Sequence, residues 1–410
     1  MTISGLLVGR IARAALSLSV VIGAATLPTA YAQDAVRPEI GKPLQAANAL
    51  IKSGKYKDAL AKIREVDGVP NKTANETYLI ESTRGSAASG AGENDTIIRS
   101  FEAVIATGKA PPVTQLKLVE ALAGAHYRAK DYAATNKWAS RYLREGGNNH
   151  QIRTLLIQSY FQSGDFANSA KESLNDIQAD EKAGRTPSEE KLQLLANSYL
   201  RQKNTSGYIA TIEKLLNYYP KKSLWADVIS RLQKKPGFSD RLALDVYRMQ
   251  LATGNLTASN DYMEMSQLAL QAGFPGEAKK VVDEGYANGA LGKGAEVDRQ
   301  KRLRDLVEKR VAENQKVIAD GTAETAAKDG NAMVTLGYNL FTSGQVPKGI
   351  ALMEAGIKKG DLKRPDDAKL RLGTAMIQSG QKAKGAQVLK SVQGSDGAQD
   401  LANLWVIFAR

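Results

Sequence analysis

The chain has 410 residues, of which 43% are hydrophobic and 6% aromatic, and its formal net charge is +13. This apolar content is ample for a core built from Ala, Leu, Ile and Val, while the length leaves the domain count open because a repeat protein grows by adding repeats. The absence of cysteine excludes disulfide bonds and a lipid-modified N-terminal cysteine.

The first 32 residues have the features of a secretory signal peptide. Arg10 and Arg13 supply positive charge, and the uncharged, mostly apolar stretch Ala14 to Leu27 follows them. That stretch is shorter than the roughly 20 residues that a membrane-spanning helix needs. Ala30-Tyr31-Ala32 places small residues at the two positions that a signal peptidase reads. We expect cleavage after this triplet, a mature chain that begins at Gln33 in the periplasm, and no transmembrane segment in that mature chain.

A recurring pair of residues predicts helical hairpins along the rest of the chain. A glycine, or a residue standing in for it, is followed five positions later by a small residue, and the spacing between such pairs is often in the thirties. A turn between two short helices at such intervals is typical of an all-α solenoid. The six pairs are Gly54/Ala59, Lys130/Thr135, Gly164/Ser169, Gly273/Ala278, Gly344/Gly349 and Gly380/Gly385.

In the N-terminal block, residues 33–220, apolar residues at three- and four-residue spacing predict paired helices. Pro111-Pro112 breaks this series before a new helix near Val113. The predicted hairpins are Leu44 to Val66 with its turn at Gly54, Tyr78 to Ile105 with its turn within residues 85–94, Leu116 to Arg144 turning at Lys130, Ile152 to Ile177 turning at Gly164, and Leu192 to Tyr219 turning near Lys203.

The pattern lapses over residues 221–256, where we expect an irregular helical connector with helices at Trp225 to Leu232 and Leu242 to Leu251. It resumes in a C-terminal block, residues 257–410. There the glycine-rich loop Asn288 to Gly294 is expected to be a flexible joint. A last helix, Leu401 to Phe408, is expected to cap the core with Trp405.

Small and aromatic residues occupy set positions around several of these turns. Small residues lie seven positions before the turn at Ala47, Ala123, Ala196, Gly337 and Gly373, and aromatic residues follow the turn at Tyr56, Tyr132 and Phe166. This pattern resembles the tetratricopeptide repeat family, and specifically an exported bacterial member. The resemblance implies an α-solenoid of helix-turn-helix repeats, irregular in the middle, that mediates protein–protein interaction without catalysis.

The resemblance also implies where a partner would bind. The concave surface of such a solenoid is lined by first-helix residues six and two positions before each turn, and five polar residues fill those positions in the three clearest units. Amides and guanidinium groups arrayed in this way suit a peptide backbone or a carboxylate, and ordinary solvated helix polarity explains them equally well. The expected partner-binding residues are Arg128, Gln158, Gln162, Asn197 and Arg201.

Motifs of catalysis and cofactor binding are scarce. The chain has two histidines, His126 and His150, and contains neither a phosphate-binding glycine loop nor a Gly-x-Ser-x-Gly motif. Ser379 and Lys382 have the Ser-x-x-Lys spacing of penicillin-binding enzymes, but they lie at a repeat turn without the accompanying motifs. We therefore expect no catalytic residue, no metal, no cofactor and no nucleic-acid partner, and a protein or extended peptide in the cell envelope as the partner.

A basic helix over residues 296–319 supports an alternative function, the binding of an anionic polymer or a membrane surface. Acidic residues lie among its bases, which favours the simpler interpretation of a solvated face. The bases are Arg299, Lys301, Arg302, Arg304, Lys309 and Arg310, the acids are Asp298, Asp305, Glu308 and Glu313, and the expected apolar stripe is Leu303, Leu306, Val307, Val311, Val317 and Ile318.

Overall fold

A computed structural model describes residues 36–410, and this part of the chain contains 21 α-helices, α1 to α21, and no β-strand. Consecutive helices pack together in pairs. The predicted all-α fold of helical hairpins, irregular in the middle, is confirmed. The predicted signal peptide lies outside the described residues, and none of the helices within them is long and apolar enough to cross a membrane.

The structure divides into two compact units, the first ending at Ala179 and the second running from Asp180 to Arg410. The boundary falls inside α8. The predicted blocks 33–220 and 257–410 rest on repeat spacing and stay a prediction. The helices that begin in the first unit are α1 (Pro38–Lys52), α2 (Tyr56–Ile63), α3 (Ala74–Ala91), α4 (Asn94–Ala106), α5 (Pro112–Arg128), α6 (Tyr132–Arg144), α7 (His150–Gln162) and α8 (Phe166–Lys182).

The turns between paired helices all require a left-handed backbone. Gly54 and Gly164 have φ angles of 75° and 82°, a region that side chains with a Cβ atom enter at a cost. Lys130, the residue that stands in for glycine in the sequence pattern, has the same conformation, with φ of 60°. The recurring turn position therefore reflects a single requirement, a positive φ angle. Lys130 adopts this angle although its Cβ atom makes the conformation less favourable than it is for glycine.

The small residue five positions after each turn is buried against the preceding helix. Ala59, Thr135 and Ser169 are all 0% exposed, and the hydroxyl of Ser169 donates to the carbonyl oxygen of Ile157 at 3.2 Å. Larger side chains fill the space farther along the helices, with Phe101 and Trp138 in the core of the first unit. A small residue at this position lets the two helices of a hairpin approach closely.

The second unit continues the series with longer connections in its middle. A short 3-10 turn, Asp240–Leu242, leads into α12. The helices that begin in this unit are α9 (Glu189–Arg201), α10 (Thr205–Tyr218), α11 (Lys222–Gln233), α12 (Ala243–Ala252), α13 (Ser259–Gln271), α14 (Pro275–Ala287), α15 (Val297–Ala319), α16 (Thr322–Ala326), α17 (Gly330–Thr342), α18 (Val346–Lys359), α19 (Pro365–Gln378), α20 (Lys382–Leu389) and α21 (Ala398–Phe408).

The last helix, α21, returns to the beginning of the second unit. Trp405 is 1% exposed, as the sequence predicts, and its ring contacts Phe408, which in turn packs edge-on against Trp225 of α11. Lys235, just after α11, pairs with Asp400 of α21 at 2.8 Å. The contacts of α21 with Trp225 and Lys235 join residues more than 160 positions apart in sequence. Helix α21 therefore packs both on the last hairpin, α19–α20, and on the early helices α10 and α11 of the same unit.

Two local expectations need correction. The loop at residues 288–294 is anchored, because Leu291 is 3% exposed against Gly285 and the amide of Gly292 donates to the side chain of Gln300 at 2.7 Å. The predicted apolar stripe of α15 is narrower than expected, since Leu306 and Val317 are 44% and 45% exposed. At about 100° per residue, Leu306 lies about 100° around the helix from buried Val307, whereas Val317 lies about 40° from Leu303 but near the far end of the helix, ten residues beyond Val307.

Candidate functional site

The candidate site in the first unit lies on the last turns of α5 and α7, the first helices of two successive hairpins. Arg128 ends α5, is exposed, and donates through Nε to the Oδ1 of Asn94 at 3.1 Å. Asn94 is itself held by the carbonyl of Ala125, to which its amide donates at 2.7 Å. The guanidinium is therefore fixed at one nitrogen, while its two terminal nitrogens form no hydrogen bond with the described residues and can donate to a ligand.

Gln158, on α7, is held in a similar way. The hydroxyl of Tyr127 on α5 donates to its Oε1 at 3.1 Å, and this leaves the amide nitrogen of Gln158 as the group that can donate. Burial raises the pKa of Tyr127, so the phenol stays protonated as a donor at neutral pH. Gln162, at the end of the same helix, is exposed. Arg128 and Gln158 thus present donors whose positions are partly set by their neighbours, and Gln162 adds an exposed amide.

The second unit contains the other two predicted residues. Asn197 is half-buried in the middle of α9 and Arg201 is exposed at its end. The turn that follows is fixed by Asn204, whose side chain accepts from the amide of Gly207 at 2.9 Å and caps α10. Asn197 and Arg201 therefore lie on the same helix, four residues apart, about one turn of spacing.

Ser379 and Lys382, which have the Ser-x-x-Lys spacing, lie at the turn between α19 and α20, where Ser379 caps the end of α19. The hydroxyl of Ser379 donates to the carbonyl oxygen of Met376 at 2.9 Å, which satisfies a helix C-terminus, and Lys382 begins α20. Within residues 36–410, no three His, Asp or Glu side chains are grouped closely enough to hold a metal ion.

A buried charge cluster in the second unit was not foreseen from the sequence. Arg248 of α12 is 2% exposed and binds Glu277 of α14 with two nitrogens, at 2.6 and 2.7 Å. The hydroxyl of Tyr338 on α17 donates to the same carboxylate at 3.1 Å, and burial raises the pKa of this tyrosine. The cluster joins three helices through satisfied hydrogen bonds, so it specifies their packing. Nothing in the sequence around Arg248 distinguishes it from an arginine on the protein surface.

Helix α15 carries a mixed-charge surface. Arg302, Lys309 and Lys316 repeat every seven residues and lie on one side of the helix. Asp305 lies three residues after Arg302 and four residues before Lys309, so it is about one helical turn from each of these bases. Ion pairs also form along the helix, as between Arg310 and Glu313 at 3.1 Å. The surface is net positive without being a continuous basic patch.

No protein-family model matches the chain, and neither does any curated protein. Among solved structures, the TPR2AB domain of yeast Sti1 in its pHSP90 complex is 13% identical, with coverage of 66% of this chain and 98% of that one and a TM-score of 0.33. The TPR domain of P58(IPK) is 14% identical, with coverage of 90% and 97% and a TM-score of 0.23. The maize pentatricopeptide repeat protein PPR10 is 13% identical, with coverage of 88% and 60% and a TM-score of 0.28.

Proposed function

We propose that this chain is a non-catalytic scaffold that binds a protein or an extended peptide in the cell envelope. The observation that carries the proposal is the arrangement of Arg128, Gln158 and Gln162 in the first unit. Asn94 and Tyr127 hold two of these side chains while leaving donor groups open. Fixed donors lose little conformational entropy when they bind, and a peptide backbone offers carbonyl oxygens at regular spacing to accept from them.

The envelope location rests on the predicted signal peptide of residues 1–32. The proposal of an extended peptide as the partner rests on the chemistry of the donors. They are an arginine and two amides, which can donate to backbone carbonyl oxygens, and they do not include a cluster of acids. In the second unit, Asn197 and Arg201 occupy the equivalent positions of α9, the first helix of the hairpin α9–α10, and are likewise an amide and a guanidinium. We propose that they form a separate donor pair, which belongs to the second unit alone.

Site-specific photo-cross-linking in living cells tests this function. A photoreactive amino acid replaces Gln162 in one version of the full-length chain and Lys171 in the other, since Lys171 is exposed on the second helix α8. We expect a discrete adduct with one envelope protein from position 162 and a much weaker one from position 171. Equal adducts from both positions, or none from position 162, would remove the proposal.

A second proposal concerns α15 and the binding of an anionic surface. Its supporting observation is the exposure of Leu306 and Val317 beside bases of the same helix, which gives apolar side chains for a membrane interface. We expect the triple variant Arg302→Glu/Lys309→Glu/Lys316→Glu to bind phosphatidylglycerol vesicles less and with a flatter salt dependence. The matched control reverses Lys57, Lys109 and Lys171, and an equal effect of both triple variants would contradict a role for α15.

A further inference from the structure

A cleft of about 470 Å³ lies in the second unit, between α10 and the returning helix α21. Its volume falls in the range of small-molecule sites, roughly 300 to 1,000 Å³. Apolar side chains form part of its wall, with Ala210 on α10 facing Val406 and Ile407 on α21. The cleft exists because α21 returns to pack against α10, so no single repeat contains it.

The charged residues of the lining are three cations, Lys214, Lys390 and Arg410, and two carboxyl groups, Glu181 and Glu213. Lys390, just after α20, is exposed and has no carboxylate partner in the described part of the chain. Arg410 is bonded to the neutral side chain of Asn217, which leaves its charge uncompensated by an acidic side chain. Lys214 differs, because Glu181 pairs with it at 2.7 Å. The two uncompensated cations make the cleft attractive to an anion.

Glu213, on α10, is the acidic group of the cleft that lacks a partner. It is half-buried, and its carboxyl makes neither a hydrogen bond nor an ion pair with any of residues 36–410. Burial raises its pKa to about 7, with a further contribution from the charge of Asp400 on α21 and an opposing one from Lys235 beyond α11. A carboxyl with a pKa of about 7 is about half protonated at pH 7, and its protonated form can donate a hydrogen bond to a bound anion.

We propose that this cleft binds a small organic acid with an apolar chain. Lys390 and Arg410 hold the ligand carboxylate, the protonated carboxyl of Glu213 donates to it, and the chain of the ligand packs on Val406 and Ile407. This site is distinct from the donors on α5 and α7, and its ligand is a small molecule rather than a polypeptide. Its existence does not depend on the proposed scaffold function.

Titration calorimetry of the full-length chain with octanoate tests the site, with octanamide as the uncharged analogue of the same length. We expect octanoate to bind about tenfold or more tightly than octanamide, because charge-assisted hydrogen bonds are lost in the amide. The variant Lys390→Gln/Arg410→Gln should bind octanoate more weakly than the unaltered chain by a similar factor. The control variant Lys382→Gln/Lys384→Gln removes the same charge from exposed positions of α20 and should bind as the unaltered chain does.

The pH dependence supplies a readout that a general loss of fold would not give. An anion favours the protonated state of Glu213, so octanoate affinity should fall as the pH rises from 6 to 8. The charged groups that face Glu213 are Asp400 of α21, Lys235 beyond α11, Lys214 of α10 and Glu181 of α8. Glu213→Gln should bind octanoate with a flat profile. No binding of octanoate, equal binding of octanamide, an unaffected Lys390→Gln/Arg410→Gln variant, or an affinity that rises with pH would each overturn the proposal.

Discussion

Gly337 of α17 and Gly349 of α18 bring two helix backbones into direct contact. A Cβ atom on Gly349 would lie 2.5 Å from the carbonyl oxygen of Gly337, and one on Gly337 would lie 2.7 Å from the carbonyl oxygen of Gly349. The same reciprocal contact joins Gly373 and Gly385 in the next hairpin. Backbone atoms cannot move aside as a flexible side chain can, so both hairpins depend on glycine at these positions.

We expect Gly349→Ala to destabilise the protein by about 1–3 kcal/mol, because the added methyl forces α17 and α18 apart. The measurement is thermal unfolding followed by circular dichroism. Gly68→Ala is the matched control, since a Cβ at Gly68 meets no atom within 4 Å. The same unfolding temperature for both variants would contradict the close backbone contact.

Lysine in the left-handed turn conformation predicts a stabilising change. Lys130 and Lys203 have φ angles of 60° and 58° at turns where the other hairpins have glycine. We expect Lys130→Gly to stabilise the chain by about 1 kcal/mol, because glycine adopts this conformation without the steric cost. Gly164→Ala, at the equivalent turn, should lower the unfolding temperature. A loss of stability in Lys130→Gly would show that the lysine side chain makes a compensating contact.

The contact between Arg37 and Glu76 predicts an acid-dependent loss of stability. Arg37 donates through Nε and Nη2 to the buried carboxylate, each at 2.9 Å, and these bonds lower the pKa of Glu76 to about 2. The carboxylate is ionised in both states above about pH 4.5, so the stabilisation is complete there and is lost as the pH falls towards 2.

The variant Arg37→Gln should therefore be less stable than the unaltered chain at pH 7, and the difference should narrow as the pH falls from 4.5 to 2. Urea unfolding at a series of pH values measures this difference. A gap of constant size over that range would contradict a lowered pKa for Glu76.

The predicted signal peptide gives a prediction about processing. We expect the chain expressed from its full sequence to be recovered from the periplasmic fraction with a mass that begins at Gln33, because Ala30 and Ala32 are the small residues that signal peptidase reads. Intact-mass measurement of the purified protein checks the cleavage site. An Ala32→Tyr variant should accumulate uncleaved, and cleavage of that variant at the same bond would contradict the assignment.

Local features of the fold could be predicted from the sequence because they depend on local backbone requirements. A turn that needs positive φ selects glycine, and a close helix pair selects a small residue five positions later, so Gly54/Ala59 or Gly164/Ser169 can be recognised from a few residues. The start of α3 was missed by four residues, although Thr73 and Glu76 form a capping box there.

Contacts between distant residues could not be predicted in this way. Lys235 and Asp400 are 165 positions apart, and neither has a spacing that indicates the other. The cleft around Glu213 forms where α21 packs against α10. Its lining residues are therefore far apart in sequence and form no recognisable motif. On α15, periodicity alone gave a stripe too wide, because spacing does not show how much of the stripe the neighbouring helices cover: Leu303 and Val307 are buried, while Leu306 and Val317 are exposed.

We propose that the donors on α5 and α7 bind a protein partner, and the yield of the cross-linked adduct from position 162 in cells tests this binding most directly. The background variant Arg128→Ala/Gln158→Ala should reduce that yield by about thirtyfold, since each of the two lost donors costs about 1 kcal/mol of binding free energy. Arg144→Ala, which removes an exposed arginine from the second helix α6, should leave the yield unchanged. A full yield of adduct in the Arg128→Ala/Gln158→Ala variant, with its helix content preserved by circular dichroism, would contradict the account.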